Sequence, residues 1–201
     1  MRTERNRDGT WNVWMSRDEY RELPRSAASL KSEVAIRLMG DAGLRSFEVP
    51  EVTPSDISRM KDGRHYELEV TSGKDTTGEY AHGKQRETWL PIDTEALINR
   101  HVQNEDLGPD DPLVDVSRRQ VQNYVTDAAT AATEETGDRD YTRVSSHDLR
   151  RCWAQYLLVE KKISSRIVMD LGGWSSYDAI EPYLAAPTED NIIDSMRGVG
   201  L

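Results

Sequence analysis

The chain has 201 residues, enough for one substantial core, and 36% of them are hydrophobic. No apolar run approaches the roughly 18 to 20 residues that cross a bilayer, and the polar, Arg-bearing N-terminus lacks a signal-peptide core, so membrane and secretory readings are excluded and a cytoplasmic protein is expected. The single Cys152 excludes an internal disulfide, His65, His82, His101 and His147 lack zinc-site spacing, so no metal or cofactor is implied, and 36 acidic against 26 basic residues give a net charge of -10, which taken alone argues against a nucleic-acid partner.

In chain order, residues 1–10 carry Arg2, Arg5 and Arg7 without an apolar period and read as a flexible arm ahead of one domain over 11–201. Ser16 and Glu19 have capping-box spacing for a short helix that Pro24 ends or kinks. A second helix is predicted over 26–41 from Leu30, Val34 and Leu38, with Gly43 placed to stop it. Tyr66, Leu68 and Val70 alternate with Glu67 and Glu69 after the turn-like Lys61-Asp62-Gly63, predicting a hairpin, and 86–92 supplies a further extended segment. After Thr94 the periodicity is helical: 94–104, 117–135, a helix capped by Ser145 or Ser146 and running to about 161, another from Ser164 or Ser165 to Leu171 that Gly172-Gly173 breaks, then 176–183 and 188–196. The expected fold class is therefore mainly α with a small antiparallel three-stranded β-sheet, an α+β arrangement.

Five separated segments then form a pattern. They are Gly43-Leu44-Arg45-Ser46-Phe47-Glu48 at a helix start; Ser72-Gly73-Lys74 after a strand, followed by Gly83-Lys84-Gln85-Arg86, Trp89 and Pro91; His147-Asp148-Leu149-Arg150-Arg151; Leu171-Gly172-Gly173-Trp174; and Pro182-Tyr183-Leu184, nine residues beyond Trp174. His147 and Arg150 stand at i and i+3 near a helix N-terminus, where imidazole, guanidinium and exposed N–H groups suit a phosphate. In order and spacing the set resembles the tyrosine recombinase, or phage integrase, family: its first arginine box, its lysine-bearing β-hairpin, its H-x-L-R-R box, its L-G-(H or W) segment with one extra glycine, and its nucleophilic tyrosine. The resemblance covers 11–201 and implies the catalytic-domain fold of that family.

It also implies site-specific strand cleavage and rejoining through a 3′-phosphotyrosine intermediate, with Tyr183 as nucleophile and no cofactor. Arg45 and Arg150 would bind the nonbridging oxygens, Lys74 would protonate the leaving 5′-oxygen, His147 would assist proton removal from Tyr183, and Trp174 would donate its indole N–H to the phosphate. Lys84 competes with Lys74, which the short strand-to-Gly-Lys spacing favours. Glu48 reads as a buttress. Arg86, Lys84, Arg143 and Arg151 are expected on the DNA backbone, the competing reading being surface ion pairs. The implied partner is double-stranded DNA, with a homo-oligomer formed on it through the helix over 188–196. Rival functions are a non-enzymatic DNA-binding regulator or inactive integrase remnant, and a type IB topoisomerase-like relaxing activity.

Two features depart from that family. Its N-terminal core-binding domain is expected to be absent from these 201 residues, which would make them a half-clamp with weakened DNA affinity. The acidic balance, with 20 Arg to 6 Lys, resembles halophilic, specifically haloarchaeal, proteins. In molar salt the Debye length falls to roughly 3 Å, and surface carboxylates then repel DNA only at contact.

Overall fold

The computed structural model describes residues 1–71, 85–181 and 196–197. Its N-terminal residues differ from the expected flexible arm. Strand β1 (Arg2–Arg5) pairs antiparallel with β2 (Trp11–Trp14), setting Arg2 opposite Trp14 and Arg5 opposite Trp11. The connecting turn is closed by Asn6 and Thr10, whose backbones bond at 2.8 Å, and Arg2 and Arg5 lie 5.3 and 6.0 Å from the Trp14 and Trp11 rings. β1 has no apolar period of its own to read; its partner strand supplies the pairing and the aromatic faces.

Helix α1 (Arg17–Arg25) starts at the expected capping box: Ser16 accepts from the Glu19 N–H, and the Glu19 carboxylate accepts from the Ser16 N–H at 2.7 Å. Pro24 falls within its last turn. Helix α2 (Leu30–Gly40) begins at a Ser29 cap, later than the expected 26, because Ser29 and Ser32 satisfy each other's backbone N–H groups. It buries Val34, Ala35, Ile36, Leu38 and Met39 and packs against α1 and three later helices, α3 (Ile92–Glu105), α4 (Arg118–Thr136) and α5 (Ser146–Gln155). A helix apolar on so many sides belongs in the middle of a domain.

Between α2 and α3 lies the sheet. β3 (Ile57–Arg59), β4 (Tyr66–Val70) and β5 (Arg86–Leu90) form an antiparallel sheet in the order β3-β4-β5, with the predicted turn at Lys61–Gly63 joining the first two. Leu68, Val70, Thr88 and Leu90 face the core, as period-two alternation requires. α4 runs from its Ser117 cap to Gly137, within two residues of the expected bounds.

α5 is followed by a π turn at Tyr156–Glu160, then α6 (Ser165–Gly172) and the short α7 (Tyr177–Ile180). The helix expected over 188–196 lies almost wholly outside the described residues. Beside the main core, Trp153, Ala154, Val168, Met169, Trp174 and Ile180 form a second apolar cluster, and this small core sets the position of α6 against α5. No helix among the described residues is long and apolar enough to cross a membrane.

Candidate active site

Glu48 is the point from which the site is built. It is fully buried, in the turn after α2, and a buried carboxylate must be paired and hydrogen-bonded to persist as an anion. Four donors meet it. The Arg45 backbone N–H and Nη1 approach at 2.7 and 2.8 Å, and Arg86, first residue of β5, binds end-on, with Nη1 on Oε1 and Nη2 on Oε2, both at 2.8 Å. Burial alone would raise the Glu48 pKa; the Arg86 hydrogen bonds and charge, joined by Arg45, outweigh it and hold the carboxyl below its ordinary value. Arg45 keeps 23% of its side-chain surface exposed, whereas Arg86 is buried.

Arg150, on α5, is almost fully buried, and its Nη1 and Nη2 donate to the backbone carbonyls of Gly43 and Gly172. The guanidinium thus ties the turn that carries Arg45 to the end of α6. Gly43 has φ +72, and a Cβ there would lie 2.6 Å from the Trp153 ring, so only glycine lets the turn come this close. At the other end α6 closes in a Schellman motif. Gly173 is left-handed, its N–H bonds Asp170, and the Trp174 N–H bonds Met169 at 2.9 Å. This turn folds Trp174 back so that its ring covers Arg150 at 4.0 Å and stacks on Trp153 at 5.9 Å. The two glycines therefore have separate tasks: Gly173 makes the left-handed cap, and Gly172 leaves room for the returning indole.

His147 occupies the second position of α5, with its ring reaching the surface. Its pKa is lowered below 6.5, by desolvation first and then by the positive charge of Arg151, Arg150 and Arg45, against the opposing pull of Asp148. The imidazole is accordingly neutral at pH 7, the form that can accept a proton. Beneath it Asp148 is fully buried. Its Oδ2 accepts from the Ser145 N–H and hydroxyl at 2.9 and 2.7 Å, completing the α5 capping box, and its Oδ1 accepts from the Val13 N–H at 3.0 Å and from Arg151.

The structure brings Arg45, His147, Arg150 and Trp174 into one neighbourhood. Lys74, Lys84 and Tyr183 lie outside the described residues. Two expected DNA-backbone contacts require correction: Arg86 is buried on Glu48, and Arg151 is buried between Asp148, Asn12 at 2.9 Å and the Trp14 ring at 5.2 Å. Both guanidiniums are drawn inward because each meets a fully buried carboxylate. Arg143 remains partly exposed, paired with Asp140 and 4.1 Å from the Trp11 ring. Sequence reasoning missed Asp148 and Asn12 as the groups that fix the start of α5. The Ser145-x-x-Asp148 spacing was a usable signal for the first; Asn12 had none. Among the described residues no cluster of His, Cys, Asp or Glu could hold a metal ion.

The model of the phage integrase family matches residues 14–189. The chain belongs to the phage integrase family. Its fold is that of the XerA recombinase, at a TM-score of 0.72 and 17% identity over 94% of this chain and 65% of that one. The Tn1549 transposon integrase, solved with transposon right end DNA, aligns at a TM-score of 0.70 and 13% identity, covering 94% of this chain and 66% of the integrase. A lambda integrase, solved as a dimer on a COC′ core site, aligns at 0.57 and 18%, over 89% of this chain and 51% of that one. The chain thus spans about two thirds or less of the length of these integrases. No curated protein sequence matches it.

Proposed function

We propose that this chain is the catalytic domain of a site-specific DNA recombinase that cleaves and rejoins strands through a 3′-phosphotyrosine intermediate. The observation that carries the reading is the convergence of Arg45, His147 and Arg150 around one turn, from segments about a hundred residues apart, in a chain with this family's fold. Arg45 contributes its charge from the surface, while Arg150, buried with Nη1 and Nη2 on the Gly43 and Gly172 carbonyls, adds positive potential from beneath the Trp174 indole to offset a phosphodiester charge that grows during attack. The Tyr183 oxygen attacks phosphorus and forms the P–O bond. The P–O5′ bond breaks, Lys74 gives its proton to the 5′-oxygen, and neutral His147 receives the tyrosine proton. Reversal by a new 5′-hydroxyl rejoins the strand, so no nucleotide is consumed.

Double-stranded DNA is the substrate under this reading, Lys84 and Arg143 serve the backbone, and the segment 188–196 docks a second copy on the DNA. The Arg-over-Lys bias and the net charge of -10 support function in concentrated salt, in the cytoplasm of a halophile. Nicked suicide duplexes tiling the DNA that flanks the gene test the chemistry. A covalent protein–DNA adduct that Tyr183→Phe abolishes is the expected result. Binding without an adduct would identify a regulator, and relaxation of supercoiled plasmid without a defined site would identify a topoisomerase-like activity. DNA affinity should also fall with salt less steeply than for basic family members.

A further inference from the structure

Arg86 does more than neutralise Glu48. Its Nε donates to the Leu171 carbonyl at 3.0 Å while its two Nη atoms hold the Glu48 carboxylate, so one planar group spans β5, the turn after α2 and the end of α6. The stem is equally constrained: a Cβ on Gly173 would lie 2.9 Å from Arg86 Cδ. These bonds close a ring. Arg45 bonds Glu48, Glu48 bonds Arg86, Arg86 bonds Leu171, the next residue Gly172 bonds Arg150, and Arg150 bonds Gly43, two residues before Arg45. Cutting the ring at Arg86 would remove one hydrogen-bonded route between the Arg45 turn and the Gly172–Trp174 segment, leaving Arg150 and the packing of Trp153 against both. Arg86 is also the second residue after Lys84, at the end of the segment that carries both candidate general acids.

We propose that Arg86 is a positioning residue for strand cleavage, holding Arg45 and the Trp174 segment in register with each other without touching DNA. The idea rests on the recombinase reading above. A planar fork is needed for three simultaneous bonds in fixed directions, and lysine offers only a point charge there. Displacing a reacting group by about 1 Å can cost on the order of 100-fold in rate.

The test is single-turnover adduct formation on the same nicked duplexes by the wild-type chain, Arg86→Lys and Arg86→Met, with DNA affinity and the unfolding midpoint measured alongside. Arg86→Met should form adduct about 100-fold more slowly at saturating DNA, and Arg86→Lys about 10-fold more slowly, while half-saturating DNA concentrations stay within about threefold. Should Arg86→Met fail to fold, the folded Arg86→Lys carries the test. A folded Arg86→Lys that cleaves at the wild-type rate overturns the proposal, as does a rate loss matched by an equal loss of affinity, which would make Arg86 a DNA contact. No adduct from the wild-type chain on any duplex, from low to molar salt, sinks the recombinase reading and this inference with it, a result distinct from either of the others.

Discussion

The two faces of the three-stranded sheet carry opposite chemistry on the same strands. Inward, Arg86 and Thr88 of β5 are buried, one on Glu48 and the other donating its hydroxyl to the Ala42 carbonyl at 2.8 Å. Outward, Glu69 and Glu87 stand directly opposite each other, both exposed, with Glu67 and Trp89 beside them. A groove of about 600 Å³ runs between this outer face and α6, lined by Glu67, Glu69 and Glu87 and reaching Arg86 and Trp174 but neither Arg45 nor His147. The inner face gives Arg86 its counter-charge in Glu48, whereas the outer face opposes like charges across a ladder, which costs stability. A net charge of -10 is therefore a poor guide to any one surface: on one sheet, one face holds a guanidinium on its carboxylate and the other sets carboxylates side by side.

That contrast can be broken from the inside first. Glu48→Leu removes the anion that two arginines share and leaves Arg86 buried without its counter-charge, so a loss of about 3 to 5 kcal/mol is expected in urea unfolding. Next in size is Gly172→Ala. The added methyl would lie 1.9 Å from the Trp174 ring, and the indole must leave Arg150, for about 1 to 3 kcal/mol and an altered tryptophan near-UV signal. Acid should act more gently. Because the Glu48 pKa is held below 4.5 in the fold, its contribution is complete above that value and is lost as pH falls through the lower folded value; Glu48→Gln should flatten this part of the acid-unfolding curve. On the outer face the effect is smallest and of opposite sign. Glu87→Lys turns the repulsive pair with Glu69 into an attractive one and should stabilise by about 0.2 to 1 kcal/mol, less so in high salt. A larger gain from Glu87→Lys than loss from Glu48→Leu would invert the comparison.

Much of the local structure was legible because its causes are local. The Ser16–Glu19 box, the Lys61–Gly63 turn, the start of the helix expected over 117–135 and the break at Gly172-Gly173 each depend on residues a few positions apart, and each formed within a residue or two of where the pattern placed it. The candidate set was read in another way, as a resemblance carried by five short segments; the structure brings four of the named side chains together, while Lys74 and Tyr183 lie outside the described residues. What misled was the assignment of arginines to a surface. Arg86 and Arg151 look like their neighbours in sequence, yet both are buried: the partner of Arg86, Glu48, lies 38 residues away, and Arg151, though its carboxylate Asp148 is only three residues away, is also held by Asn12, 139 residues away.

Most of the described helices, the β3–β4 hairpin and the family could be read from the amino-acid order alone, since periodicity, caps and motif spacing are properties of short stretches of chain. Which guanidiniums face outward and which are held within was settled by the folded arrangement. A charged side chain can leave water only where carboxylates and carbonyls from several distant segments meet it at hydrogen-bond distance, and that meeting is a property of the folded chain.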